Sequence, residues 1–178
     1  PRDVCISWGR HSGKNIDESI EFMHNDHQGL QWNESYNEEY FSDQTRPLSY
    51  LSSWNRHVES WCSSDWSIPK KIIKFEDIVY NKKKIIFELI EFFEINYQFK
   101  ISNKSMKVDN IIKYTKFENF KQEENTKGFK ESNRKLNFFS VGEKNQWEKK
   151  LTDKQILKIE EKFNTVMKKF NYKLVNKL

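Results

Sequence analysis

The stretch at residues 71–77, KIIKFED, predicts the fold class. Three of its first five residues are β-branched or aromatic, and the stretch follows Pro69 and ends at two carboxylates, which is typical of a short strand covered on both faces. Apolar residues at helical spacing follow at residues 81–94 and predict a helix capped by Asn81. A strand followed directly by a helix is half of a βαβ unit, so we predict an α/β fold that is mostly helical with few parallel strands.

Helical periodicity extends on both sides of this stretch. The predicted helices lie at residues 15–24, 47–62, 105–114, 117–124 and 152–170. The helix at 47–62 places aromatic residues on one face, which we expect to be buried. Polar sequence without clear period predicts a long surface excursion at residues 25–45 and a mobile segment at 123–136.

The first seven residues, PRDVCIS, predict a turn into a helix. Proline suits a first helical position because it has no N–H to lose, and Asp3 complements the positive end of a helix. Such a start exposes backbone N–H groups near Ser7, which is one way that proteins bind phosphate. A capped helix that binds nothing is the simpler alternative.

Composition limits the functional classes only loosely. The chain has 178 residues and 15% aromatic residues, enough for one domain with a buried core. Residues 1–68 hold 5 basic and 11 acidic side chains, whereas residues 69–178 hold 26 basic and 15 acidic ones. The basic part could attract nucleic acid, but lysines on solvated helix faces explain the same count, and we predict no nucleic-acid partner.

The two cysteines, Cys5 and Cys62, suit buried free thiols better than a secreted disulfide framework, so we expect a reducing, cytoplasmic location. The sequence has no apolar run of about 20 residues, the length that a membrane span needs. His24 and His27 lack acidic or cysteine partners at ligand spacing, so no metal site is predicted.

Five short blocks occur in a fixed order along the chain. They are PRDVCIS at residues 1–7, WNRHVESW at 54–61, KFEDI at 74–78, DNIIKYTKFENF at 109–120 and FFSVGEKNQW at 138–147. Together they resemble the sulfotransferases that use 3′-phosphoadenosine 5′-phosphosulfate (PAPS), a family with a P-loop-type fold. The resemblance covers the chain nearly from end to end.

The resemblance implies a set of nucleotide-binding residues. Ser7 would hold the 3′-phosphate, and Thr115 and Phe117 would lie against the adenine. A loop that includes Gly142 would wrap the 3′-phosphate, and the glycine permits close approach of the backbone. The residues assigned to the nucleotide are Ser7, Thr115, Phe117, Phe139, Ser140, Val141 and Gly142.

The sequence departs from the family pattern in that loop. Ser140 and Val141 stand where the family has Arg and Lys, which leaves a hydroxyl and backbone donors for the phosphate. Nucleotide affinity is the property that this change puts in question, and Arg134, Lys135 or Lys144 are candidates to compensate.

His57 lies in an aromatic helix and is assigned a structural role, not that of the catalytic base.

The activity implied by the resemblance is transfer of a sulfuryl group from PAPS to a hydroxyl or amine of a small-molecule or glycan acceptor. The family's phosphosulfate-binding Lys and catalytic His would both precede Pro1 in the family's order. We therefore interpret residues 1–178 as the C-terminal two-thirds of a single sulfotransferase domain, with no catalytic residue assigned and no turnover expected from this segment alone.

Two other functional classes stay open at this point. The Ser140 and Val141 replacements are also compatible with a degenerate, sulfotransferase-like binding module without catalysis. A nucleic-acid binder ranks last because basic and aromatic residues are not interleaved in one strand pattern. The sequence leaves the oligomeric state open.

Overall fold

The computed structural model describes residues 1–31, 48–62, 66–129 and 136–175. The chain divides into two compact units, one of Pro1–Ser63 with Trp147–Leu178 and one of Ser64–Gln146. The described residues are mostly helical. The elements are α1 (Arg2–Ser12), α2 (Ile16–His24), β1 (Gly29–Gln31), β2 (Leu48–Tyr50), α3 (Trp54–Cys62), α4 (Phe75–Tyr97), α5 (Lys104–Tyr114), α6 (Phe117–Lys127), α7 (Trp147–Lys150) and α8 (Asp153–Lys169).

The core of the first unit lies between α1, α2 and α8. Its buried apolar side chains recur at helical spacing on the three helices. They include Cys5, Ile20, Met23, Ile159, Phe163 and Met167. Helices α2 and α8 begin at capping boxes, Asn15 with Glu18 and Thr152 with Gln155, so local sequence defines both starts. The predicted helices at 15–24 and 152–170 are confirmed.

A buried ion pair joins the start of α1 to α8 within the same unit. Arg2 donates to the Glu160 Oε1 atom at 2.6 Å and to the Lys173 carbonyl at 3.0 Å. Its guanidinium lies 3.8 Å from the centre of the Trp147 ring. The Val175 N–H completes the arrangement by donating to both oxygens of Glu160.

The predicted helix at 47–62 is wrong for residues 48–53. Leu48–Tyr50 forms strand β2, antiparallel to β1, with Gly29 opposite Tyr50. Ser52 has a φ of 61°, and the Ser53 hydroxyl donates to Asp26 before α3 begins at Trp54. Pairing with a distant strand thus outweighs local helical periodicity. The expected buried face is confirmed only in part, because Trp54 packs against the core whereas His57 and Trp61 are exposed.

The predicted strand at residues 71–75 is wrong as well. Helix α4 begins at Phe75, and residues 71–74 pair with no strand among the described residues. Glu76 and Asp77 occupy the first turn, where carboxylates favour a helix start. Asn81, the predicted cap, has φ −124° and ψ 34° and marks a kink inside α4. The described part of the chain contains one two-stranded antiparallel sheet and no parallel strands.

Helices α5 and α6 confirm the predictions at 105–114 and 117–124. Helix α6 continues to Lys127, so the first part of the segment predicted to be mobile is helical. The remaining residues of that segment at 130–135, and residues 32–45 of the predicted excursion, lie outside the described residues. No described helix is long and apolar enough to cross a bilayer.

Candidate functional site

The glycine loop of the second unit, which comprises residues 138–142, lies directly on an aromatic ring. Gly142 has a φ of 65°, in the left-handed region that favours glycine. A Cβ atom added there would lie 2.7 Å from both Cδ2 and Cε2 of Phe117. The contact therefore requires glycine, and it brings together two of the predicted nucleotide-binding residues that are 25 positions apart in the sequence.

Phenylalanine rings hold the loop against α6. Phe139 stacks on Phe120 with ring centroids 5.3 Å apart and an interplanar angle of 16°. Its ring also meets Phe117 edge to face at 6.3 Å and Phe129 at 5.1 Å. Offset and edge-to-face contacts of this kind add stabilisation beyond the apolar area that they bury. Phe139 is thus an anchor of the loop.

A buried carboxylate binds the backbone of the same loop. Glu124 is 7% exposed, and its two oxygens accept the N–H groups of Phe138 at 2.6 Å and Phe139 at 2.9 Å. The Ser140 N–H donates to the Phe138 carbonyl at 3.0 Å. The N–H groups of Phe139 and Ser140 are therefore engaged within the protein. Those of Val141 and Gly142 have no hydrogen-bond partner among the described residues.

Thr115 ends α5 and is bound to a lysine of α4. Its hydroxyl donates to the Ile111 carbonyl at 2.6 Å, and its own carbonyl accepts Lys82 Nζ at 2.7 Å. A lysine at this place satisfies a carbonyl at the negative end of α5. Sequence reasoning missed Lys82; the only signal for it is its position directly after the predicted cap Asn81.

Lys144, one of the candidate compensating cations, contacts Tyr80, the residue before the kink in α4. Its Nζ is 3.4 Å from the centre of the Tyr80 ring, a cation–π contact. Tyr80 and Lys82 flank Asn81, so the kinked part of α4 contacts both the end of α5 and the residue two positions after Gly142. Arg134 and Lys135 lie outside the described residues.

Ser7 lies in the first unit, and the other predicted nucleotide-binding residues belong to the second. Its side chain is exposed in the second turn of α1. The expectation of unpaired N–H groups near Ser7 is wrong, because the helical hydrogen bonds already begin with Cys5 N–H to the Pro1 carbonyl at 2.9 Å. In that helix the N–H groups that precede the hydrogen-bond ladder belong to Arg2, Asp3 and Val4. The Ser7 hydroxyl is the group left for a ligand.

Among the histidines and cysteines, His24 and Cys5 contribute to the packing of the first unit. His24 ends α2 and meets Phe163 edge to face at 5.0 Å, and burial lowers the pKa of its imidazole. His57 is exposed beside Trp61. Cys5 and Cys62 are free, and burial raises the pKa of the Cys5 thiol to about 11, which makes it unreactive near neutral pH. The described residues contain no group of His, Cys, Asp and Glu side chains that could hold a metal ion.

Comparison with known families assigns the class of protein. The family model described as "Sulfotransferase domain" matches residues 1–171, which is nearly the whole chain. The chain therefore belongs to the sulfotransferase family. Comparisons with curated proteins and with solved structures find no match.

Proposed function

We propose that this chain belongs to a PAPS-dependent sulfotransferase with a P-loop-type α/β fold, which transfers a sulfuryl group to an acceptor hydroxyl or amine. The observation that carries the proposal is the contact between Gly142 and Phe117. It joins the two blocks to which the resemblance assigns the 3′-phosphate and the adenine. Membership of the sulfotransferase family supports the same reading.

The residues of the loop suit a phosphate ligand. Val141 and Gly142 supply backbone N–H groups without partners among the described residues, and Ser140 supplies a hydroxyl. Gly142 has no side chain to keep a phosphate away from the backbone. The charge that Arg and Lys give in the family has to come from elsewhere, and Lys144 is the described cation closest in sequence to the loop.

The proposed chemistry is an in-line displacement, which requires a held nucleotide, neutralisation of the moving group and removal of the acceptor proton. Thr115, Phe117 and residues 138–142 serve the first requirement. The blocks of this chain supply no group for the other two, so we expect residues 1–178 alone to bind nucleotide without turnover. Sulfation of an acceptor by the purified segment would contradict that expectation.

Calorimetric titration with adenosine 3′,5′-bisphosphate tests the nucleotide site. We expect wild-type protein to bind and Gly142→Ala to lose most of its affinity, because the new Cβ would meet the Phe117 ring at 2.7 Å. Gly13→Ala is the matched control: Gly13 has a similar φ of 70°, but a Cβ there meets nothing within 4 Å. Equal affinity of the two variants would exclude the Gly142 loop as the binding element.

A second candidate function is a degenerate binding module without catalysis. The engaged N–H groups of Phe139 and Ser140, together with the missing Arg and Lys, favour this alternative. The same titration separates the two functions, because the degenerate module would not bind the bisphosphate.

A small-molecule or glycan acceptor stays part of the main proposal, and the free Cys5 and Cys62 thiols support a cytoplasmic location.

A further inference from the structure

We propose that Glu124 is a positioning residue for the nucleotide, whose buried carboxylate fixes the loop at 138–142 so that the N–H groups of Val141 and Gly142 stay available to a 3′-phosphate. The inference rests on the proposed function and adds a residue that lies outside the five family blocks. Nothing in the sequence around Glu124 distinguishes it from its neighbour Glu123.

The geometry assigns Glu124 to the loop. Its two oxygens accept the N–H groups of two consecutive residues, Phe138 at 2.6 Å and Phe139 at 2.9 Å. Bonds to both N–H groups restrict the φ and ψ rotations of Phe138, which lies between them. Next to this pair, Asn137 donates to the Asn125 side chain at 2.8 Å, so consecutive residues of α6 bind consecutive residues of the loop.

A glutamate at position 124 is otherwise unfavourable for α6. Glu124 lies in the last turn of the helix, where a negative charge opposes the helix dipole. It is also nearly buried, which is costly for a carboxylate without strong hydrogen bonds. The two loop N–H groups supply those bonds, and such charge-assisted bonds are stronger than neutral ones. The two loop N–H groups therefore offset part of the cost of burying a carboxylate at this position.

Electrostatic repulsion between Glu124 and the ligand predicts a change in affinity opposite to that predicted by positioning. A carboxylate near a phosphate-binding loop repels an anionic ligand, so loss of its charge would by itself strengthen binding. Positioning predicts the reverse, because an amide in place of Glu124 turns an NH2 group toward one of the two loop N–H groups. The sign of the change in affinity decides between the two effects.

The test is a comparison of Glu124→Gln with Glu123→Gln. Glu123 is the matched control because it lies on the same helix, is exposed and pairs with Lys127 at 3.0 Å. Dissociation constants are measured by calorimetry for adenosine 3′,5′-bisphosphate and for adenosine 5′-monophosphate, which lacks the 3′-phosphate. We expect Glu124→Gln to weaken the bisphosphate about tenfold, the usual consequence of losing a charged hydrogen bond. Binding of the monophosphate, and both ligands in the control, should stay unchanged.

Tighter bisphosphate binding by Glu124→Gln, or an equal change for both ligands, would overturn the positioning role. Wild-type protein that binds neither ligand would instead overturn the proposed function. If Glu124→Gln fails to fold, amide NMR of wild-type protein gives the answer without a variant. The N–H signals of Val141 and Gly142 should move when the bisphosphate is added, and those of Phe138 and Phe139 should not; the reverse pattern would contradict the proposal.

Discussion

The two units of the molecule are stabilised in different ways. In the described part of the first, ten apolar side chains are buried, most of them on α1, α2 and α8. In the described part of the second, the buried apolar side chains are Ile90 and Val108. The loop of that unit depends on ring contacts and on the Glu124 carboxylate. We infer that the first unit resists change through its packing, whereas the candidate site depends on a few directional contacts.

The largest expected effect is that of Phe163→Ala. Phe163 is 1% exposed and contacts His24 and Trp54, so truncation leaves a cavity in the first unit. We expect a loss of about 4 kcal/mol in the free energy of unfolding, measured by chemical denaturation. Phe93→Ala, at a position 42% exposed in α4, is the control and should cost much less. Equal losses would remove the contrast between the units.

Glu160→Gln should have the next largest effect. The substitution leaves the buried Arg2 guanidinium without its charged partner and weakens the bonds from Val175 N–H. We expect a loss of about 3 kcal/mol, as is usual when one member of a buried pair is removed. Glu161→Gln, on the exposed side of α8, should leave the unfolding midpoint unchanged. An equal effect at Glu161 would show that the helix, not the pair, is being weakened.

The smallest effect concerns a helix start. Thr152 accepts the Gln155 N–H as the cap of α8, and its replacement by alanine should cost about 1 kcal/mol. Thr126→Ala in α6 is a suitable counterpart, because that hydroxyl only bonds to carbonyls of its own helix. A larger loss at Thr126 than at Thr152 would mean that α6 contributes more to overall stability than its burial indicates.

Local signals account for the successful predictions. Asn15 and Thr152 lie just before apolar residues at helical spacing, and both cap the predicted helices. The order of the five blocks was enough to predict the family. The contact of Gly142 with Phe117 is a close approach between protein atoms, and the expected approach of a phosphate to this glycine stays a prediction.

Non-local pairing accounts for the failures. Residues 71–75 have the composition of a strand, but none of the described residues pairs with them, and the carboxylates that follow favour the start of α4. Leu48–Tyr50 has no clear strand signal, yet it pairs with Gly29–Gln31. A strand depends on a partner whose position is not encoded in its own residues.

The sequence by itself determined where most helices lie and to which family the chain belongs, because caps, periodicity and motif order are properties of neighbouring residues. Only the tertiary structure decided that Arg2 pairs with Glu160, that Lys82 binds the end of α5 and that Glu124 holds the glycine loop. Each of these contacts joins residues at least 14 positions apart. Burial and donor geometry, which exist only after folding, select the charged side chains that make them.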